Sequence, residues 1–471
     1  MNLIEAFLIQ VAARPAAPAI ITATGEVHTY AQLSHRSAAR AWAMEASGVR
    51  PGDIVLVARG VSPELYETLL AIFRLGAVAM FPEPAAGLKG LSQAVEAAHP
   101  KAMVTTNLGR LIRRFVPGLA RLKLLPDPIG REPKVDLVNP TPGDAPALIT
   151  FTSGSTGRPK GIVRSGDFLM LQHTLLEQLR KTRPTDIDLI SLLVFILSNL
   201  ASGATSVIPA GRLTRPAQLD GARLRRQMSE HGVTRIVAPP AVCARIAGGG
   251  EPMPELQAIF TGGGPVFPNL LHELARFAPN AAIHTVYGST EAEPIAHVEL
   301  KDIAPSDWQA MASGQGLLAG KPISEISVEV RDNEVFVAGA HVNEGYLDPA
   351  DDASTKTRKQ GRLWHRTGDA ARIDDHGRLW LLGRKEAAAG GLYPFAVETA
   401  ALSWPGVRQA ALLAGAGRAR LAISGDRLDL ADLKGRLARL GDIELIALKA
   451  VPMDKRHNSK ADYARLRTMI G

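Results

Sequence analysis

The sequence predicts an α/β protein: a large N-terminal domain of parallel sheets covered by helices, a small β-rich subdomain closing it, and a small α+β domain at the C-terminus. Three observations predict this. Short β-branched runs alternate with helical patterns as far as about residue 325, and strand–helix alternation implies parallel sheets covered by helices. The pattern then changes to paired strands around turn sequences. Past Arg384 the remaining residues show a mixed α and β pattern too short for a second large domain.

The elements follow in order. Leu3, Ile4, Phe7, Leu8 and Val11 fall at helical spacing, and Glu5 interrupts any apolar core of a signal peptide. Asp53–Ala58 reads as a strand, and Ser62–Leu75 as a helix with Ser62 at its N-cap and Pro63 in its first turn. Ala79–Phe81, Arg235–Ala238, Leu256–Phe260 and Ile283–Val286 read as further strands, with a helix over Pro268–Phe277. No charge occurs between Asp188 and Arg212, a length that could span a bilayer. Ser198, Asn199, Ser202, Gly203, Thr205, Ser206 and Pro209 break it up, so a buried strand, a short helix and a second strand are expected, and no membrane span. Gly248–Pro254 reads as a surface loop. Ile326–Val330 pairs with Glu334–Val337 around Asp332-Asn333, and Arg372-Ile373 with Arg378–Leu382 around Asp374-Asp375-His376-Gly377.

The 471 residues suffice for two or three domains and a large core. A single cysteine, Cys243, excludes an internal disulfide framework and a cysteine-cluster metal site; in its apolar surroundings it reads as core, and such usage fits a reducing, cytoplasmic compartment. The net charge of +8 suits anionic ligands such as nucleotides, pyrophosphate or coenzyme A. Basic residues look spread along the chain rather than interleaved with aromatics, which argues against nucleic acid.

The residues richest in chemistry are Thr150-Phe-Thr-Ser-Gly-Ser-Thr-Gly-Arg-Pro-Lys-Gly161. Leu148, Ile149 and Phe151 form a strand that leads into Thr152, Ser153, Gly154, Ser155, Thr156 and Gly157, ending at Lys160. Small residues let backbone N–H groups approach phosphate oxygens, hydroxyls add donors, and the lysine neutralises charge. The spacing is not that of kinase and NTPase loops, because Pro159 precedes the lysine and Gly161 follows it.

This string resembles the phosphate loop of the adenylate-forming superfamily, which holds acyl-CoA synthetases, luciferases and the adenylation domains of peptide synthetases. Further motifs follow in that family's order. Thr261-Gly262-Gly263-Gly264-Pro265 is similar to its glycine turn beside adenine. Tyr287-Gly288-Ser289-Thr290-Glu291 is similar to its adenine- and magnesium-contacting motif, and Arg366-Thr-Gly-Asp369 to its ribose-binding motif. Gly383-Arg384 resembles its hinge signature, and Lys460 its C-terminal catalytic lysine.

The resemblance implies roles with physical sense. Tyr287 offers an aromatic face to adenine. Thr290 and Glu291 supply oxygens for Mg²⁺ bridging ATP phosphates. Asp369 accepts from both ribose hydroxyls, and Arg384 reaches ribose or phosphate. Lys460 sets a cation on the carboxylate and α-phosphate, where charge develops during in-line attack. Taken singly, Glu291 could be a solvated acid at a helix start, Asp369 a turn residue, and Lys460 one of a charged surface group with Lys455, Arg456 and His457. The resemblance implies a domain of residues 1–384 and a mobile lid of residues 385–471 that rotates near Lys385 and Glu386.

A narrower likeness lies in Pro452–Lys460, Leu363–Asp369, Ser206–Pro209 with Thr214–Ala217, Glu291–Ile295 and Gly87–Gly90, which resemble the olefin-biosynthesis β-lactone synthetase branch. Members of that branch activate a β-hydroxy acid with ATP, and the hydroxyl then closes on the activated carbonyl. Two departures bear on the acceptor. Past Lys385, the loop Glu386–Pro394 lacks positive charge, which weakens the case for coenzyme A while leaving a carrier-protein thiol open. Ser191–Leu200 replaces the usual proline, aromatic and histidine run near the acyl pocket. The leading expectation is an ATP- and Mg²⁺-dependent ligase that converts a hydrophobic carboxylic acid to acyl-AMP and passes the acyl group to coenzyme A or a carrier-protein thiol. β-Lactone closure is the alternative, and a non-catalytic nucleotide-binding protein is the alternative of another class. The acid, its chain length and the oligomeric state are not legible.

Overall fold

A computed structural model describes residues 1–83, 86–127, 137–153, 158–414, 418–454 and 460–470, without the side chains of Ser153 and Leu193. The chain divides into two compact units. The first comprises Met1–Ala210, Glu230–Val233 and Ala340–Lys356, and the second Gly211–Ser229, Thr234–Gly339 and Thr357–Gly471.

In the first unit a six-stranded sheet runs Lys123–Leu124, Ala102–Thr105, Ile54–Ala58, Val78–Phe81, Pro146–Ser153, Pro159–Ser165. The first five strands are parallel and the last is antiparallel to its neighbour. The expected helix spans Pro63–Arg74, and the Ser62 side chain accepts the Leu65 N–H at its start. Leu56, Met80, Met103, Ile149 and Phe151 pack with Ala94 and Val95 of the helix Gly87–Ala98, giving the sheet its apolar face.

The charge-free stretch folds as read: a strand Ile187–Ile190, a helix Leu193–Ser202 and a strand Thr205–Val207. Ile196, Leu197 and Leu200 are buried, so core packing accounts for the apolarity of this segment. One polar network crosses it. Arg180 pairs with Asp188 and donates to Asn199 Oδ1 at 2.6 Å, and Asn199 Nδ2 donates to Asp188 (3.0 Å) and Ser206 (3.1 Å). All four side chains are buried. The Tyr30 hydroxyl donates to the carbonyls of Asn199 and Ala204, and burial pushes that phenol well above its usual range.

The second unit begins with parallel strands Arg235–Ala238, Ala258–Gly262 and Ala282–Ser289. Ala258–Gly262 lies two residues later than expected, because Leu256 belongs to the turn closed by its N–H on the Met253 carbonyl. Antiparallel pairing then continues through Ala292–Glu299, Leu317–Pro322, Leu379–Arg384, Arg362–Ile373, Glu334–Ala338 and Ser327–Arg331. The β-rich part is therefore continuous with the parallel strands. Cys243, on the helix Pro240–Ala247, is fully buried, and burial raises its thiol to about 12. It is a core residue, as expected.

The two turn sequences do what they predict. Asp332 and Asn333 take positive φ of 48° and 60° between paired strands. Asp374 accepts the N–H groups of His376 and Arg378, the Arg378 guanidinium and the Trp380 indole. Partial burial works against its charge, yet these donors hold the carboxyl down at about 2.

Past Arg384, Val407–Ala414, Ala419–Gly425 and Ile443–Ala447 form a three-stranded sheet. Helices Pro394–Ala401 and Leu430–Leu437 contribute to one apolar cluster, and Tyr463–Ile470 to another. Glu398 sits buried between these elements. One of its oxygens accepts both the Leu412 N–H (2.9 Å) and the Tyr463 hydroxyl (2.8 Å). Burial outweighs both donors and lifts the carboxyl from 4.5 to about 7.

The folded chain thus holds this proton more tightly than the unfolded chain. Stability should be fullest below about pH 4.5 and fall as pH rises to about 7, by about 3 kcal/mol. Urea unfolding across that range should lose this slope in Glu398→Gln, whose amide oxygen can accept the same two bonds.

Candidate nucleotide site

The expected phosphate loop joins two antiparallel strands of the first unit, with Thr152 directly opposite Lys160. Gly154, Ser155, Thr156 and Gly157 lie outside the described residues, as does the Ser153 side chain. At the foot of the loop, Lys160 is buried, its ammonium 3.8 Å from Asp351 Oδ1 and 5.4 Å from the Tyr346 ring centre. Arg158 donates to Asp348 and Asp351, at 2.9 Å each. Both acids come from Ala340–Lys356, which lies along this strand through the Ile162–Tyr346 bridge and the Leu347 N–H on the Gly161 carbonyl (2.7 Å). Sequence reasoning missed Asp351: nothing in its surroundings marked it as the carboxylate that stations the lysine.

In the second unit, the glycine turn and the Tyr287 motif are set by adjacent strands. Gly262 pairs beside Val286, and a side chain there would meet the Val286 carbonyl oxygen at 2.4 Å. Gly263 and Gly264 leave the strand in a bend. Tyr287, Gly288 and Ser289 end one strand of a hairpin whose tight turn is Thr290-Glu291. Glu291 is therefore a turn residue and not a helix-start acid. A Cβ at Gly288 would stand 3.2 Å from Glu293 across the hairpin, which keeps that position small.

Asp369 and Arg384 face each other across paired strands. The Tyr287 hydroxyl donates to Asp369 Oδ2 at 2.8 Å, and Arg384 reaches Asp369 Oδ1 at 3.3 Å. Arg384 also donates to the Thr367 carbonyl at 2.7 Å, while the Thr367 hydroxyl takes the Asp369 N–H at 3.1 Å. Burial, then the Asp369 charge, hold the Tyr287 phenol far above its usual range, so it stays a donor. Asp369 raises the guanidinium of Arg384, with smaller contributions from Tyr287, Glu386 and Glu291. The structure therefore brings Tyr287, Asp369 and Arg384 together and sets Glu291 within their electrostatic reach.

A second hub, also missed by sequence reasoning, supports the first. Glu334 is almost wholly buried and accepts a two-pronged contact from Arg366 (3.2 and 2.9 Å) and one from Lys385 (3.3 Å). Burial opposes its charge, yet Arg366 and Lys385 together hold the carboxyl below its usual range. One acid thus ties the start of Arg366–Asp369 to the residue after Arg384. The turn at Asp332-Asn333 placed Glu334 on a strand; its partners could not be read.

Lys460 stands exposed beside a short bridge between Met453 and Ala461. Its N–H bonds the Asp454 carboxylate at 3.0 Å and its carbonyl takes the Asp454 N–H at 2.8 Å. The neighbours Lys455 to Ser459, including His457 and Asn458 of the narrower likeness, lie outside the described residues.

The donor set fits a nucleotide. A carboxylate offers about four acceptor positions; Tyr287 and Arg384 use two at Asp369, which leaves capacity for a ribose diol. No group of three or more metal-ligating side chains occurs among the described residues. A divalent ion here would be held by Glu291 and Thr290 together with phosphate oxygens, as suits an ion that travels with ATP.

Fold and site together define an adenylate-forming enzyme. The profile described as "AMP-binding enzyme" matches residues 7–347, and the chain belongs to that family. Olefin beta-lactone synthetase of Stenotrophomonas maltophilia is 30% identical over 93% of this chain and 90% of its own length. The protein of the same name from Xanthomonas campestris pv. campestris is 30% identical over 82% of this chain and 77% of its own. In fold the chain is similar to ATP-bound MatB from Rhodopseudomonas palustris, with a TM-score of 0.82, 21% identity, and coverage of 100% of this chain and 99% of that one.

Removing the Glu334 charge should loosen the Arg366–Asp369 strand. Arg366 and Lys385 are each more than a third exposed, so solvent screens them and the loss is well below that of a closed buried pair. Glu334→Gln should lower stability by about 1–2 kcal/mol in urea and raise the KM for ATP. An unchanged KM would limit Glu334 to a purely local role.

Proposed function

We propose that the protein activates a hydrophobic 3-hydroxy carboxylic acid as its acyl-AMP and closes the adenylate to a β-lactone. The observation that carries this reading is the 30% likeness to an olefin beta-lactone synthetase over nearly the whole of both chains. The lack of positive charge in the loop after Lys385 supports it, because an intramolecular acceptor needs no cationic approach for coenzyme A. Transfer to a thiol of coenzyme A or a carrier protein is the second reading.

In the first step a substrate carboxylate oxygen attacks the α-phosphorus of ATP and pyrophosphate leaves. Tyr287 presents its ring to adenine, and Asp369 and Arg384 take the ribose. The loop from Thr152 to Gly157 and Lys160 cradle the phosphates, and Lys160 exchanges part of its Asp351 contact for phosphate oxygen. Thr290 and Glu291 would hold Mg²⁺, which would supply charge neutralisation at the phosphates. Lys460 places its ammonium on the carboxylate and α-phosphate, a contact that strengthens as charge develops. In the second step the 3-hydroxyl oxygen attacks the acyl carbonyl carbon. The ring C–O bond forms, the bond to AMP breaks with its electron pair going to AMP, and the hydroxyl proton passes to solvent.

Residues 385–471 form the lid in this reading, turning near Lys385 and Glu386. The two apolar clusters past Arg384 support it: their buried members all come from residues 389–466.

Lys460→Ala should lower adenylate formation by about 10²-fold or more with thermal stability nearly unchanged; an unaltered rate would remove Lys460 from the chemistry. Products from enzyme, Mg-ATP and a chain-length series of 3-hydroxy acids should include AMP and a species equal to acid minus water, formed without thiol, by mass spectrometry. Acyl-CoA on adding coenzyme A would establish the second reading instead, and acyl-AMP alone would overturn lactone closure.

A further inference from the structure

The first unit carries a surface that nucleotide chemistry does not use. Between Glu96 and Asp127 the chain has six basic residues, Lys101, Arg110, Arg113, Arg114, Arg121 and Lys123, and no acidic one. The even spread of charge expected from the sequence does not hold here. Three of the six are engaged nearby: Lys101 with Asp53 (2.6 Å), Lys123 with the Ser47 carbonyl, and Arg113 with the carbonyls of Leu119 and Ala120. Arg110, Arg114 and Arg121 stand exposed, with no ion pair among the described residues.

The same segment exposes three large apolar side chains: Leu108 at 67%, Leu111 at 54% and Phe115 at 75%. They recur at i, i+3 and i+7 through the helix Asn107–Ile112 and the 3₁₀ turn Arg113–Phe115, which sets them on one stripe. The segment is anchored along its length: Val116, Leu119 and Leu122 are buried in the core of the six-stranded sheet, and Ile112, beside the stripe, packs against that core. Single exposed apolar residues need no explanation, but a fixed stripe of three does, in a segment that also exposes three guanidinium groups with no ion pair among the described residues.

We propose that this stripe docks the protein on an anionic lipid surface. Leu108, Leu111 and Phe115 enter the boundary between headgroups and acyl chains, and Arg110, Arg114 and Arg121 meet lipid phosphates. Charge complementarity favours an anionic partner. The aliphatic side chains favour lipid over nucleic acid, which would find one aromatic ring to stack on and no use for two exposed leucines. A protein partner would need an apolar groove matched to the stripe; a bilayer needs no matching. Access to a membrane-dissolved acid as the purpose of docking rests on the function proposed above, whereas docking itself does not.

The test is co-sedimentation of the full chain with vesicles of phosphatidylglycerol and phosphatidylcholine, against phosphatidylcholine alone, at low and high salt. The protein should partition to the anionic vesicles, less so at high salt. Both the combined variant Leu108→Ser, Leu111→Ser, Phe115→Ser and the combined variant Arg110→Gln, Arg114→Gln, Arg121→Gln should lose about tenfold or more. Melting temperatures near that of the parent would show that both variants fold. Equal partition of parent and variants, or none at low salt, overturns the proposal. So does retention on single-stranded RNA without vesicle binding, or a change of oligomeric state in the apolar variant as the only effect. ATP–pyrophosphate exchange with a water-soluble acid should stay within about twofold in both variants. Failure of exchange in the parent with every acid would count against the proposed function and leave the partition result standing.

Discussion

The carboxylate of Asp369 is shared between a phenol and a guanidinium, and much of the second unit is arranged to keep it so. Tyr287 arrives from the end of the parallel strands, while Asp369 and Arg384 arrive from antiparallel strands farther along the same run. Their meeting depends on register: a one-residue slip between Arg362–Ile373 and Leu379–Arg384 would leave Asp369 and Arg384 on opposite faces of the sheet. Two acids guard that register from opposite ends. Asp374 closes the turn with four donors, and Glu334 ties Arg366 and Lys385 at the far end.

The phosphate side of the proposed chemistry is stationed differently. Lys160 is held by attraction to Asp351 and by the ring of Tyr346, both contributed by residues far along the chain. A cation kept in place by one carboxylate contact near 4 Å is preorganised without being locked, which suits a group whose partner must change when a polyanion arrives.

Much of this could be read from the chain alone, and the reason is locality. Helix Pro63–Arg74 with its Ser62 cap, the strand–helix–strand from Ile187 to Val207, and the turns at Asp332 and Asp374 are each fixed by neighbours within a few residues. Tyr287, Asp369 and Arg384 were legible because they sit in short motifs with recognisable order. Glu334 and Asp351 were not, because a buried acid is defined by cations that arrive from elsewhere: the partners of Glu334 lie 32 and 51 residues away, and Arg158 lies 193 residues from Asp351. The continuity of the β-rich strands with the parallel ones was hidden for the same reason, since strand order is a long-range property. The basic segment around Arg113 was diluted by a whole-chain average of charge.

Glu398 carries one last implication, for the chain's own tail. Tyr463 bonds that buried acid, Leu466 packs with Ala411, Leu413, Ala422 and Val451, and Arg420 grips the Ile470 carbonyl. The tail from Tyr463 onward therefore works as a stopper for an interior that would otherwise admit water, although it follows Lys460 and adds no group to the chemistry. A chain trimmed after Lys460 would keep every residue assigned to ATP and still open the core on which that lysine's own turn is built.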